Sequence, residues 1–178
     1  MRCFFALWPQ PQIQSALEQW GGRWAEAAGG RPSSGGSAHL TLAFLGELER
    51  DGAELARARE AAAACPFAAF SMTVECGGWF RAKRLGWLAP GSVPQALLDL
   101  ADALRAVLTA REVRFDLQPF VPHITVLRRA LRLEPAPSAS PLVWTVDSFA
   151  LMASVPRGGG RAYERIGEWR GQTPEPPP

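Results

Sequence analysis

Two stretches decide the reading of this chain: His39–Glu47, HLTLAFLGE, and Pro122–Arg129, PHITVLRR. In each, a His is followed by apolar, Thr, apolar, and this alternation has the period of a half-buried strand. In the first, Leu40, Leu42 and Phe44 share the core-facing side, while His39, Thr41 and Ala43 share the other. In the second, Ile124 and Val126 oppose His123, Thr125 and Leu127. The chain has only 2 His, and each is followed two positions later by a Thr. With so few Thr in the sequence, that coincidence has a chance probability of roughly 1 in 900. The paired motif is therefore the strongest signal present.

Outward from these strands, the order of elements repeats. Arg2 to Trp8 reads as a strand, and Pro9 and Pro11 open a helix reaching Ala28. Gly29 to Ser37 is a flexible loop by composition. Asp51 is placed to cap an Ala-rich helix through Ala64. Phe67–Glu75 and Arg84–Leu88 read as strands joined across Gly77 and Gly78. Leu97, Ala101, Leu104 and Leu108 make one stripe of a helix that follows Ser92. Val143–Val155 is a long strand-like run, PRGGGR a turn, and Ala162–Trp169 a closing strand or helical turn. A helix followed by a His-apolar-Thr-apolar strand in each half suggests an internal duplication. The organisation expected is one α+β domain over residues 1–172 and a disordered tail over residues 173–178.

Composition removes several classes. In 178 residues, 47% are apolar and 7 are Trp, which is enough for a core and excludes disorder throughout. No apolar run is long enough to span a bilayer, and Cys3–Trp8 is too short for a secretory segment, so a cytoplasmic protein is expected, with no membrane partner. Of 19 basic residues only Lys83 is Lys. Arg suits phosphate recognition, but the wealth of Ala, Gly and Pro makes coding bias a sufficient cause, so composition alone establishes no nucleic-acid binding. Cys3, Cys65 and Cys76 are too few and too scattered for a disulfide framework or a structural zinc site.

Residues i and i+2 of a strand point the same way, so each motif sets an imidazole beside a hydroxyl. Two such strands meeting would gather His39, His123, Thr41 and Thr125 around one small anion. That set suits acid-base chemistry at a phosphate: one imidazole takes a proton from water, the other gives one to a leaving oxygen, and the hydroxyls hold phosphoryl oxygens. A metal site is the competing reading, weakened because two His without a patterned third ligand make too few donors. No cofactor or metal is expected. No GxSxG occurs, and the Cys residues lack a patterned partner for nucleophilic chemistry.

MRCFFALWP, HLTLAFLGE, PFVPHITVLRR and the closing SFALMAS and YERIGEW resemble the 2H phosphoesterases, in particular the RNA 2',3'-cyclic phosphodiesterases also called 2'-5' RNA ligases. The resemblance implies a bilobal α+β fold, with two antiparallel sheets related by a pseudo-twofold axis, helices outside and a central cleft. It further implies hydrolysis of a 2',3'-cyclic phosphate to a 2'-phosphomonoester, with reverse 2'-5' ligation, by a monomer acting on RNA that carries a cyclic phosphate end or a 2'-5' linkage. Small cyclic nucleotides or 2'-5' oligoadenylates are the alternative substrates, and a non-catalytic RNA-binding module is the reading from another class. By motif position, His39 resembles the proton donor and His123 the proton acceptor, with Thr41 and Thr125 the phosphate-holding hydroxyls. Arg128 matches a basic residue near the phosphate, and Arg31 keeps a basic position in the loop before the first motif. Phe44 matches an aromatic of the family, although its place on the Leu40 face favours core packing over base stacking. Trp79 and Phe80 are candidates for contacting the nucleoside, and Trp87 is expected in the core.

Overall fold

In the computed structural model, the residues described are 1–138, 140–157 and 160–171. Strand β1 (Arg2–Leu7) leads to helix α1 (Pro11–Ala28), the two-residue strand β2 (Arg31–Pro32), β3 (Leu40–Glu47) and α2 (Ala53–Ala63). Then come β4 (Phe70–Phe80), β5 (Leu85–Pro90), α3 (Gln95–Ala110), β6 (Ile124–Arg128), β7 (Leu142–Val146), β8 (Ser148–Arg157) and β9 (Gly160–Arg170). The expected tail at 173–178 and the centre of the PRGGGR turn, residues 158–159, lie outside the described residues.

The strands pair antiparallel in the order β7-β4-β5-β6-β3-β1-β8-β9, with β2 on β6. Two four-stranded halves thus face each other in mirrored order, β3-β1-β8-β9 against β6-β5-β4-β7. This is the bilobal α+β architecture. The two sheets are not fully separate, because Leu40 and Ile124 pair and stitch β3 to β6. Each connecting helix crosses to the other half: α1, which links β1 to β3, packs on β6, whereas α3, which links β5 to β6, packs on β3. The helical stripe at Leu97, Ala101, Leu104 and Leu108 is fully buried. One continuous core runs through both lobes, from Phe5 and Leu40 to Leu88, Ile124 and Trp144.

Local details differ from the sequence expectations for identifiable reasons. Gly52, not Asp51, is the N-cap of α2, and no side chain caps it. Gly77 and Gly78 lie inside β4; a side chain on Gly78 would overlap the indole of Trp87 across the ladder, so this glycine permits close approach and makes no turn. The reversal falls at the 3-10 turn Arg81–Lys83, closed by Arg84 at φ 51°. The Val143–Val155 run is divided at Asp147 into β7 and β8, and the closing segment is a full strand. The loop Gly29–Ser37 is laced down. Arg31 and Pro32 pair with Arg128 and Leu127, Ser33 N–H donates to Val126 O at 2.8 Å, and Ser33 Oγ–H donates to Thr125 O at 2.8 Å.

Candidate active site

Leu40 and Ile124 are both 0% exposed, and burying them turns the residues on either side to the opposite face. The register of their pairing sets His39 towards Thr125 and Thr41 towards His123. All four residues of the paired motif therefore flank one bridge between the lobes.

The two histidines are anchored identically. His39 Nδ1–H donates to Ser37 O at 2.7 Å, and His123 Nδ1–H donates to Val121 O at 2.7 Å. A carbonyl can only accept, so each bond places the proton on Nδ1 and leaves Nε2 as the nitrogen free for chemistry. The backbone that holds His39 is itself held from α1: buried Gln14 donates through Nε2 to Ala38 O at 2.7 Å and accepts from Ala38 N–H at 3.2 Å. Glu18 accepts from Gly36 N–H at 2.8 Å.

Their surroundings differ. The His39 ring lies nearly parallel to that of Trp8, at 5.2 Å and 6°, stacks on Phe4 at 4.9 Å, and meets the edge of Tyr163 at 5.5 Å. Phe4 of β1 and Trp8, just beyond its end, thus both pack against the imidazole. His123 has one such neighbour, Phe80, edge-on at 4.8 Å. Burial pushes the His39 pKa down to about 4, and the charges of Arg128 and His123 push the same way against the Ser37 hydrogen bond. Burial also lowers His123, with Lys83 and Arg128 adding to it against the Val121 bond. Both shifts favour the neutral imidazole in the free protein.

A cleft of about 690 Å³ opens beside His39 and Thr41. Arg2, Arg31, Arg128 and Arg129 line it, and no carboxylate among the described residues does. His123 and Thr125 stand outside this lining, on the β6 side of the bridge. Arg31 and Arg128 are directly opposite each other on the ladder, an unfavourable pairing of like charges that an anion would relieve. Gly30, at φ 98°, makes the approach feasible, since a Cβ there would lie 2.6 Å from Arg128 O.

Three aromatic expectations need correction. Phe44 is not packed in the main core: the β1–β3 register slips between Phe5 and Ala6, so Leu42 and Ala43 both turn inward and Phe44 swings to the cleft side. There it lies under the Arg2 guanidinium, 5.0 Å from the ring centre, and lines the cleft. Trp79 points away from the cleft, packing on Trp24 at 4.7 Å and donating Nε1–H to Glu134 O at 2.9 Å. Trp87 belongs to neither core cluster. It pairs with Thr125 across the ladder and lies 5.9 Å from Phe80, which touches His123. The residues missed by sequence reasoning are Phe4, Trp8, Tyr163, Gln14 and Arg129. One clue was available: Phe4, Ala6 and Trp8 are apolar on the second face of β1, where a sheet half-exposed to water would carry polar groups.

A two-lobed antiparallel fold with a histidine and a threonine from each lobe defines the class of two-histidine phosphoesterases. Residues 9–156 match the model of the 2'-5' RNA ligase superfamily, and the chain belongs to that family. It is similar to the RNA 2',3'-cyclic phosphodiesterase of Escherichia coli K12, at 29% identity over 94% of this chain and 95% of that protein. The enzyme of the same name from Thermus thermophilus is 30% identical, over 92% of this chain and 86% of that protein. The crystal structure of E. coli LigT complexed with 3'-AMP superposes with a TM-score of 0.85 at 29% identity, covering 96% of this chain and 97% of that one.

Proposed function

We propose that this protein is an RNA 2',3'-cyclic phosphodiesterase that opens the cyclic phosphate to a 2'-phosphomonoester by paired acid-base catalysis. The observation that carries this reading is the matched Nδ1–H···O=C anchoring of His39 and His123, which leaves two free Nε2 atoms flanking the Leu40–Ile124 bridge with Thr41 and Thr125. In the forward step a water oxygen bonds to phosphorus while His123 Nε2 accepts its proton. The bond from phosphorus to the 3'-oxygen breaks, and that oxygen takes the proton carried by His39 Nε2. Thr41, Thr125 and Arg128 hold the phosphoryl oxygens as charge builds on them. Arg31 and Phe44 contact the nucleotide from the cleft wall, and Phe80 backs His123.

Burial disfavours the charged form of His39, so the donor gains its proton as substrate docks: a phosphate monoanion beside Nε2 supplies the counter-charge missing in the free protein. The same set of groups lowers the barrier for the reverse 2'-5' joining reaction. The test is turnover of an RNA ending in a 2',3'-cyclic phosphate in excess EDTA, beside a 2',3'-cyclic mononucleotide and a 2'-5' oligoadenylate. A 2'-phosphate product at an undiminished rate is expected. Loss of activity restored by Mg2+ or Zn2+, or binding of RNA without turnover, would overturn the proposal.

A further inference from the structure

The cationic surface does not end at the cleft. The 3-10 turn Arg81–Lys83 follows Phe80, the residue that meets His123 edge-on, so it sits on the His123 side of the site. It is tied to the segment after β6: Ala130 N–H donates to Arg84 O at 3.2 Å, and Arg84 Nη2 donates to Leu131 O at 3.3 Å. Both joints are left-handed at non-glycine residues, Arg84 at φ 51° and Arg129 at φ 54°, a costly conformation of the kind found where backbone strain serves a site. The result is one rim from Arg81 and Lys83 to Arg129 and Arg31. Among the described residues none of these four has a carboxylate within ion-pair distance.

The opposite end of the site has the other character. Beyond Phe44, the groove towards α3 carries Glu47 and Asp116, and its Arg114 is held by Glu54 in two hydrogen bonds of 2.9 and 3.1 Å. The cations there are already engaged, Arg2 and the N-terminal amine by Glu47 and Arg114 by Glu54, so a phosphodiester backbone leaving the reactive phosphate gains more along the rim.

Building on the phosphodiesterase reading, we infer that the rim of Arg81, Lys83 and Arg129 is a second phosphate site, which holds the phosphodiesters 5' of the cyclic end and makes an RNA strand, rather than a mononucleotide, the preferred substrate. Arg31, at the junction of rim and cleft, bridges the two sites.

The experiment compares a 2',3'-cyclic mononucleotide with RNAs of two, four and eight nucleotides carrying the same end, for wild type and for Arg81→Gln/Lys83→Gln, each at the plateau of its pH profile. Wild-type kcat/KM should rise about tenfold with length, mostly through KM. The double variant should lose about tenfold on the eight-mer and stay within about twofold on the mononucleotide. Its log–log salt slope for the eight-mer should fall by about 1.4, at roughly 0.7 for each phosphate no longer neutralised. The charge-preserving pair Arg81→Lys/Lys83→Arg should restore wild-type behaviour. No length preference in wild type, or equal losses on both substrates, would overturn the inference. Should wild type turn over none of these substrates, the phosphodiesterase reading fails by itself. Fluorescence anisotropy of a labelled eight-mer ending in a 2'-phosphate then decides the rim: selective loss of affinity in the double variant upholds it, and an unchanged affinity overturns it.

Discussion

The two histidines make the same backbone hydrogen bond and sit at equivalent ends of β3 and β6, yet one is enclosed and the other is comparatively open. His39 has three aromatic neighbours, Phe4 of β1, Trp8 just beyond it and Tyr163 of β9. His123 has a single aromatic edge and a lysine at the neighbouring turn. Pseudo-symmetry therefore repeats the anchor but not the environment, and because burial disfavours the protonated form of His39, the donor role proposed for it depends on the negative charge that the substrate brings. The cage restricts rotation of the His39 ring. His123 has fewer aromatic neighbours, which fits the role proposed for it beside a water nucleophile.

The largest test of this contrast is removal of either imidazole. His39→Ala and His123→Ala should each lower kcat by roughly 10² to 10⁴ with smaller effects on binding, and the double variant should lose less than the product of the two. A substrate whose leaving group needs no protonation should rescue His39→Ala and leave His123→Ala slow. The reverse pattern would exchange the roles, and near wild-type turnover in both variants would remove the mechanism.

A smaller loss is expected from the hydroxyls. Thr41→Val and Thr125→Val each remove one hydrogen bond to a charged phosphoryl group, worth about 1.5 to 3 kcal/mol. Because each Thr lies towards the other motif's histidine, Thr41→Val should weaken the His123 side and Thr125→Val the His39 side, read as sensitivity to leaving group. Equal sensitivity in the two variants would mean that the register of the bridge does not order the site.

The smallest effects concern the cage itself and are read in pH. Both histidines have lowered pKa values, so the singly protonated pair is most abundant below 6.5, and kcat/KM should peak on the acid side of that ordinary value. Burial is the largest cause of the shift at His39, so Trp8→Ala should move one limb upwards, towards 6.5. Trp8→Phe should preserve the profile. Phe80→Ala should shift the other limb upwards by less. A profile unmoved by Trp8→Ala would show that the cage does not set the titration of His39.

Alternation in HLTLAFLGE and PHITVLRR is sufficient to place His and Thr together on one face and Leu40 and Ile124 in the core, because strand period is a local property of the chain. The α3 stripe is legible for the same reason at the helical period. Phe44 shows where locality stops: the register against β1 slips on either side of the Phe4–Phe5 pairs, inverting the faces of Ala43 and Phe44 between the two slips, and nothing within the motif announces these bulges. The loop Gly29–Ser37 looks flexible by composition, yet it is ordered by bonds to β6, about ninety residues away in sequence. Tyr163 reaches His39 only because β9 is added outside β8 and β1. The sequence by itself determined which groups could do the chemistry and the strand faces that carry them. The tertiary structure alone decided which aromatics enclose them and which cations line the cleft, because those depend on register and on pairings between strands remote in the chain.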